Sequence, residues 1–236
     1  MPWRWIAPIT APAATQMAID RWMLQQLLAG GSPMLRLYRW SRPALSLGRH
    51  QQRWPAQWRD EPLELVRRPS GGRAVLHAGE LTYALAFTPQ TRDREAVYRH
   101  CCQWLQQALA NAGEPLQFGQ ASPAAAAQRS SCFATATAAD LVTARGAKRI
   151  GSAQLWHGPA LLQHGSLLLD PPAALWQRLF QADPPALAPL PWGREALEQQ
   201  LREAAEEHLC TEGLISEPLS PEEWAAVRVL EPLSRV

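Results

Sequence analysis

The sequence predicts an α+β fold: a single domain with a central mixed or antiparallel β-sheet flanked by helices. Three observations carry this. Strand-like runs crowd the middle of the chain, whereas helical periodicity dominates its ends. At 236 residues the chain fits one large domain or two small ones, and no internal repeat divides it. Hydrophobic residues make up 47% and charged residues 19%, the balance of an ordinary globular core and surface.

Residues 15–28 carry Met17, Ile19, Trp22, Met23, Leu24, Leu27 and Leu28 largely at helical spacing. Thr15 is a candidate cap, and Gly30-Gly31-Ser32-Pro33 is the stop. Residues 34–40 alternate apolar and basic side chains, as a half-buried strand does. Residues 44–48 and 63–68 are further strands, and the second runs into Pro69-Ser70-Gly71-Gly72-Arg73. Glycines there permit positive φ and close approach of a ligand to the backbone. Free N–H groups in such a loop suit an anion or a carbonyl. An ordinary hairpin turn has the same composition, and the Gly-Lys-Ser/Thr ending of a P-loop is missing.

Residues 74–77 and 81–87 read as a strand pair across Ala78-Gly79-Glu80. Residues 92–112 are a long helix with Val97, Cys101, Trp104, Leu105, Ala108 and Leu109 on one face, which makes Cys101 core and leaves Cys102 without an evident partner. Residues 120–128, rich in Ala, Ser and Pro, read as a loop that leads to Cys132. Residues 140–143 and 148–154 form a hairpin, and 160–169 add a strand. Helices over 171–180, 193–208 and 221–230 follow, the first two separated by a proline-rich stretch.

The net charge of +2 does not by itself point to nucleic acid. No apolar run approaches the ~20 residues of a membrane helix, and the N-terminus lacks a signal peptide's apolar core. Cys101, Cys102, Cys132 and Cys210 make neither a metal spacing nor a disulfide framework, so free thiols and a cytoplasmic protein are expected. Of the 23 Lys plus Arg, one is a lysine, Lys148. Arginine fills every other cationic position, so this one invites a role that arginine cannot take: a compact charge with a tunable pKa. An ammonium near a cysteine lowers the thiol pKa from ~8.5 and favours the nucleophilic thiolate. Cys132 and Lys148 flank strands that can be neighbours in one sheet. A small buried hydrophobe is the competing reading of Cys132, and chance in an arginine-biased composition that of Lys148. His77 and His164 fit general bases or satisfied core residues. A Ser/His/Asp triad has less support, because no Gly-x-Ser-x-Gly elbow is present.

Five segments recur together and in order: Leu45-Ser46-Leu47-Gly48-Arg49-His50-Gln51, the run from Arg67 to His77, Glu80-Leu81-Thr82-Tyr83, Lys148-Arg149-Ile150-Gly151-Ser152-Ala153-Gln154 and Leu162-Gln163-His164-Gly165-Ser166. With them, and with Met17-Ala18-Ile19-Asp20 in the opening helix, the chain resembles the biotin/lipoate protein ligase family over roughly residues 15–180. Within it, the wording resembles the cysteine-dependent octanoyltransferases. The resemblance implies the ligase catalytic-domain fold over 1–182, with 183–236 a proline-rich linker and helical extension packed on the same domain.

It also implies an activity: an octanoyl group moves from acyl carrier protein to Cys132 as a thioester, then to a lysine of a lipoyl domain. Glycine cleavage H protein or a 2-oxoacid dehydrogenase E2 would be the acceptor, with no cofactor, metal, nucleic acid or membrane involved. Carried over residue by residue, Cys132 is the nucleophile and Lys148 its activator. Arg68, Ser70, Gly71, Gly72, Arg73, Leu76, His77, Gly151, Ser152, Ala153, His164 and Gly165 would form the substrate site. Leu76 would line the acyl tunnel, and N–H groups near Gly151 would hold the oxyanion. The chain departs from the family with Ala78-Gly79 after His77 and Leu155-Trp156 after Gln154, which bears on donor and acceptor docking. An ATP-dependent lipoate–protein ligase, which needs no cysteine, and a non-catalytic binder of carrier or lipoyl domains are the alternatives.

Overall fold

A computed structural model of the chain describes residues 1–119 and 140–236. The elements run β1 (Trp3–Ala11), α1 (Ala13–Leu28), β2 (Met34–Trp40), β3 (Ala44–Leu47), β4 (Glu64–Arg67), β5 (Val75–His77), β6 (Glu80–Phe87), α2 (Arg94–Asn111), β7 (Gln117–Phe118), β8 (Leu141–Val142), β9 (Lys148–His157), β10 (Ala160–Leu168), α3 (Ala173–Phe180), α4 (Arg194–His208), β11 (Leu214–Ser216) and α5 (Pro221–Leu230). Among the described residues the strands form an eight-stranded mixed sheet, ordered β11-β1-β2-β6-β10-β9-β8-β7, and a three-stranded sheet, β4-β3-β5.

The period-two alternation of the central strands decides which helix covers which face. Leu81, Tyr83, Leu85 and Phe87 of β6 join Leu161 and Leu167 of β10 in one core, beneath Cys101, Trp104, Leu105 and Leu109 of α2 and Leu197 and Leu201 of α4. Ala84 and Ala86, with Leu162, face the other way and pack on Met17, Ile19, Trp22 and Met23 of α1. The small sheet has its own core, Leu45, Leu47, Trp58, Ala74 and Leu76, closed by Trp176 and Leu179 of α3.

Residues 74–77 and 81–87 do not pair with each other. β6 is already hydrogen-bonded on both edges, to β2 and β10. No edge is left for β5, which pairs antiparallel with β3 in the small sheet. The chain crosses between sheets at Gly79, where φ is +70 and an added Cβ would lie 1.9 Å from the Asp170 carbonyl oxygen.

The basic positions of β2 are not a solvent face. Arg36 is buried and bonded to Asp20 and Gln16 of α1. Thr15 does not cap α1, which starts two residues earlier after Pro12. Glu64 Oε2 instead accepts from the Ala13 N–H at 2.6 Å, while Thr15 Oγ1 donates to Glu231. β1 has no counterpart in the sequence reading. Pro8 and a register shift between Ile6 and Ile9 blur its alternation, and parallel pairing with β2 and β11 defines it. β11 thereby places residues 214–216 in the main sheet. α4 packs on α2 and α5 on α1, where Arg4 meets both carboxylate oxygens of Glu223 at 2.7 Å. No helix among the described residues is long and apolar enough to cross a membrane.

Candidate active site

Between the α1 side of the main sheet and the small sheet lies a narrow pocket of about 30 Å³, room for about two waters. Residues of β9 and β10 that lack bulk, Gly151, Ser152, Ala153, Gly165 and Ser166, form one wall. Ser46, Val75 and His77 of the small sheet form the opposite wall, with Arg68 beside them. Met17, Tyr38, Thr82 and His164 close the remainder.

The 68–73 loop is folded around Arg68. Its guanidinium donates to the carbonyls of Ser46 at 2.9 Å, Gly71 at 2.6 Å and Arg73 at 2.7 Å. The loop presses so closely on residue 48 that a Cβ there would lie 1.9 Å from the Gly72 carbonyl oxygen, which is why glycine stands at 48. Ser70 Oγ reaches His164 Nε2 at 2.5 Å, and His164 Nδ1 reaches Asp20 Oδ2 at 2.7 Å. Burial raises the Asp20 pKa, but the Arg36 guanidinium and His164 outweigh it and hold the carboxyl below its ordinary range.

His77 is satisfied on both ring nitrogens, Nδ1 with Glu80 and Nε2 with Ser46 Oγ at 2.8 Å. Trp40 stacks on its ring with centroids 3.9 Å apart. Trp40 Nε1 donates to Thr82 Oγ1, which in turn donates to Glu80. Behind β9 a second chain of polar groups links Ser152 Oγ to Tyr83 OH at 2.7 Å and Gln163 Nε2 to the same hydroxyl at 2.8 Å. Gln163 Nε2 also lies 3.5 Å from Cys102 Sγ, the contact missing from the sequence reading of that thiol.

Of the expected site residues, Arg68, His77, Gly151, Ser152, Ala153, His164 and Gly165 line one pocket. Ser70 meets it through His164. Gly71, Gly72 and Arg73 belong to the stapled loop and are not part of the lining. Leu76 is corrected. It points into the small-sheet core with Leu45 and Trp176, and the strand alternation turns Val75 and His77 to the pocket instead. Lys148 is buried, its Nζ 2.9 Å from Asp140 Oδ1 with both side chains no more than 3% exposed. A register shift opposite Leu141 and Val142 sets its position at the start of β9. Cys132 lies outside the described residues.

Sequence reasoning missed Asp20, Tyr38, Ser46, Thr82, Ser166 and Asp140. One signal was legible, a carboxylate at position 20 within the apolar stretch of α1, which a buried helix face tolerates only with a partner. The three described cysteines are buried and their thiols pushed up by that burial: Cys102 to about 11, Cys210 to about 12, and Cys101 well above its ordinary value, with Cys102 adding to the shift. Among the described residues, no group of three or more His, Cys, Asp or Glu is arranged to hold a metal ion.

The model of the lipoyl protein ligase A/B catalytic domain matches residues 12–186. A relative named octanoyltransferase LipM from Carboxydothermus hydrogenoformans is 35% identical over 176 residues, which is 71% of this chain and 65% of the relative. The chain thus spans just under two thirds of that protein. One of the same name from Kyrpidia tusciae is 32% identical over 241 residues, 93% of this chain and 82% of the relative. In three dimensions the chain resembles a lipoate-protein ligase A bound with ATP, with a TM-score of 0.79, 18% identity and coverage of 98% of this chain and 95% of the other. It also resembles a bi-partite lipoate protein ligase from Thermoplasma acidophilum, with a TM-score of 0.76, 16% identity and coverage of 98% and 92%. The fold is therefore that of the lipoate-protein ligases, and by the match across residues 12–186 and the identity to these relatives the chain belongs to the lipoyl protein ligase A/B catalytic domain family.

Proposed function

We propose that this chain is a cytoplasmic acyltransferase that moves an octanoyl group from octanoyl-acyl carrier protein, through a thioester on Cys132, to a lysine of a lipoyl domain. The acceptor is a glycine cleavage H protein or a 2-oxoacid dehydrogenase E2. The observation that carries the reading is the state of the thiols. Three of the four cysteines are buried with raised pKa values, the opposite of what a nucleophile needs, which leaves Cys132. The relatives named octanoyltransferase LipM support the acyl group and the chemistry.

In the first half-reaction the Cys132 thiolate attacks the donor thioester carbonyl, and the carrier sulfur leaves as thiolate and takes up a proton. In the second, the acceptor amine attacks the acyl-Cys carbonyl, an amide forms, and the amine proton is lost as Cys132 thiolate departs. The incoming thioester is already activated, so neither half consumes ATP. Lys148 supplies the positive charge that favours the thiolate, and Asp140, 2.9 Å from its Nζ, holds that side chain in place. The acyl chain occupies the pocket between the sheets. Met17, unbranched and flexible, is the lining side chain that yields to its length.

The test offers octanoyl-acyl carrier protein without ATP beside octanoate with ATP, and follows the intact mass of the enzyme. A gain of one octanoyl group in the first mixture, absent in Cys132→Ala, is expected. An undiminished adduct in that variant overturns the Cys132 assignment, and acyl transfer to a lipoyl domain only in the second mixture replaces this reading with the ATP-dependent ligase.

A further inference from the structure

We propose that Asp20 and His164 are a positioning pair that straps the 68–73 loop to the main sheet through Ser70, and that this strap sets how tightly the acyl donor is held. The inference rests on the transferase reading of the pocket and adds a device to it.

The two sheets that enclose the pocket are tied to the loop in different ways. Arg68 anchors it to the small sheet through the Ser46 carbonyl, and the Arg68 N–H donates to Leu47. Ser70 reaches across to His164, which sits on β10 of the main sheet and lines the pocket. That bond therefore ties the loop to the main sheet beside the pocket.

The orientation of the ring follows from Asp20. An ionised carboxylate only accepts, so the proton on His164 sits on Nδ1 and points at Asp20 Oδ2, 2.7 Å away. Nε2, on the far side of the ring, and the Ser70 hydroxyl share the second hydrogen bond at 2.5 Å. Asp20 is itself immobile: Arg36 binds its Oδ1 from β2, and Tyr38 OH lies 3.3 Å from its Oδ2. Asp20, His164 and Ser70 are respectively 0%, 5% and 1% exposed, so water does not compete for these bonds. Ser70 has the partners of a hydrolase serine, but its hydroxyl is not part of the pocket lining. The chain therefore orients the loop and does not present a nucleophile.

The experiment follows single-turnover acylation from octanoyl-acyl carrier protein by intact mass, at varied donor concentration, in the full chain and in Ser70→Ala, Ser70→Thr and His164→Gln. Hydrogen exchange of residues 68–73 is measured in parallel. In Ser70→Ala and His164→Gln the donor concentration for half-maximal acylation is expected to rise about tenfold, the order of one buried hydrogen bond, with a smaller change in the saturating rate. Ser70→Thr, which keeps the hydroxyl, restores most of the loss. The double variant is no worse than either single one, because both cut the same link. Exchange of the loop accelerates in Ser70→Ala and recovers in Ser70→Thr. Unchanged half-saturation in Ser70→Ala, a loss confined to the saturating rate, no recovery with threonine, or additive losses would overturn the strap. Absence of any adduct in the unaltered protein refutes the transferase reading alone; the loop's exchange then decides the strap by itself.

Discussion

At the scale of single residues, the proposed chemistry rests on Cys132 and Lys148, and the thiol pattern makes it testable. Brief treatment of the native protein with a thiol-alkylating reagent near pH 8 is expected to modify Cys132. Cys101, Cys102 and Cys210 should react only after unfolding, because burial holds them as thiols. Peptide mapping checks this, and prompt native labelling of Cys102 would contradict the buried network around Gln163. Lys148→Arg keeps the charge but substitutes a planar fork for a point charge at a buried position, so a loss of acylation above about a hundredfold is expected. Asp140→Asn leaves the Lys148 ammonium without its buried counter-charge and is expected to cost as much as ~3–5 kcal/mol of stability in a denaturant titration. Lys148 drew attention in the sequence by being the lone lysine, and Cys132 by its place in the resemblance. Asp140 did not, because an aspartate at a strand edge looks like any solvated turn residue until a buried lysine is placed beside it.

At the scale of elements, β5 is the informative strand. Three residues contribute to two environments: Val75 and His77 to the pocket, and Leu76 to the core under α3. Leu76→Ala is therefore expected to cost about 2–5 kcal/mol of stability, as a buried large-to-small change does, with little effect on half-saturation by the donor. Val75→Ala should do the reverse. Equilibrium unfolding and donor titration separate the two, and a donor-binding defect specific to Leu76→Ala would put the acyl chain on the other face of β5. The face of a three-residue strand is not legible in sequence, since apolar residues occupy both positions. It is decided by the partner strand β3, whose register opposes Leu76 to Leu45.

At the scale of the whole molecule, the tail and the arginine-rich surface are both at issue. We propose that residues 183–236 belong to the same folding unit as the catalytic part. β11 extends the main sheet, Arg149 donates to the Ala188 carbonyl, and Arg4 pairs with Glu223. A chain truncated at 182 is expected to be insoluble on expression, and a soluble truncation with full acylation would separate the two parts. Of the arginines between 36 and 53, Arg36 is buried, whereas Arg42, Arg49 and Arg53 are exposed near the β3 side of the site. Changing these three to glutamate is expected to raise half-saturation by acidic carrier or lipoyl domains and to flatten its salt dependence. Stability should also fall in acid. The Asp20 carboxyl titrates lower in the folded chain than its ordinary 3.8, so its contribution is present above that value and is lost as the pH drops through the folded pKa.

The amino-acid sequence by itself determined the strands and helices from α1 to α5 except β7 and β11, the glycine-rich loop, the lone lysine and, through five ordered segments, the family. These depend on local periodicity and on residue identity, which the chain carries wherever it folds. Tertiary structure alone decided that residues 74–77 leave the strand that follows them, that β1 and β11 complete the main sheet, and that Asp20, His164 and Ser70 meet. Edge availability between strands settles the first two. The third depends on a buried carboxylate finding Arg36 and an imidazole, which sit 16 and 144 residues away in the chain.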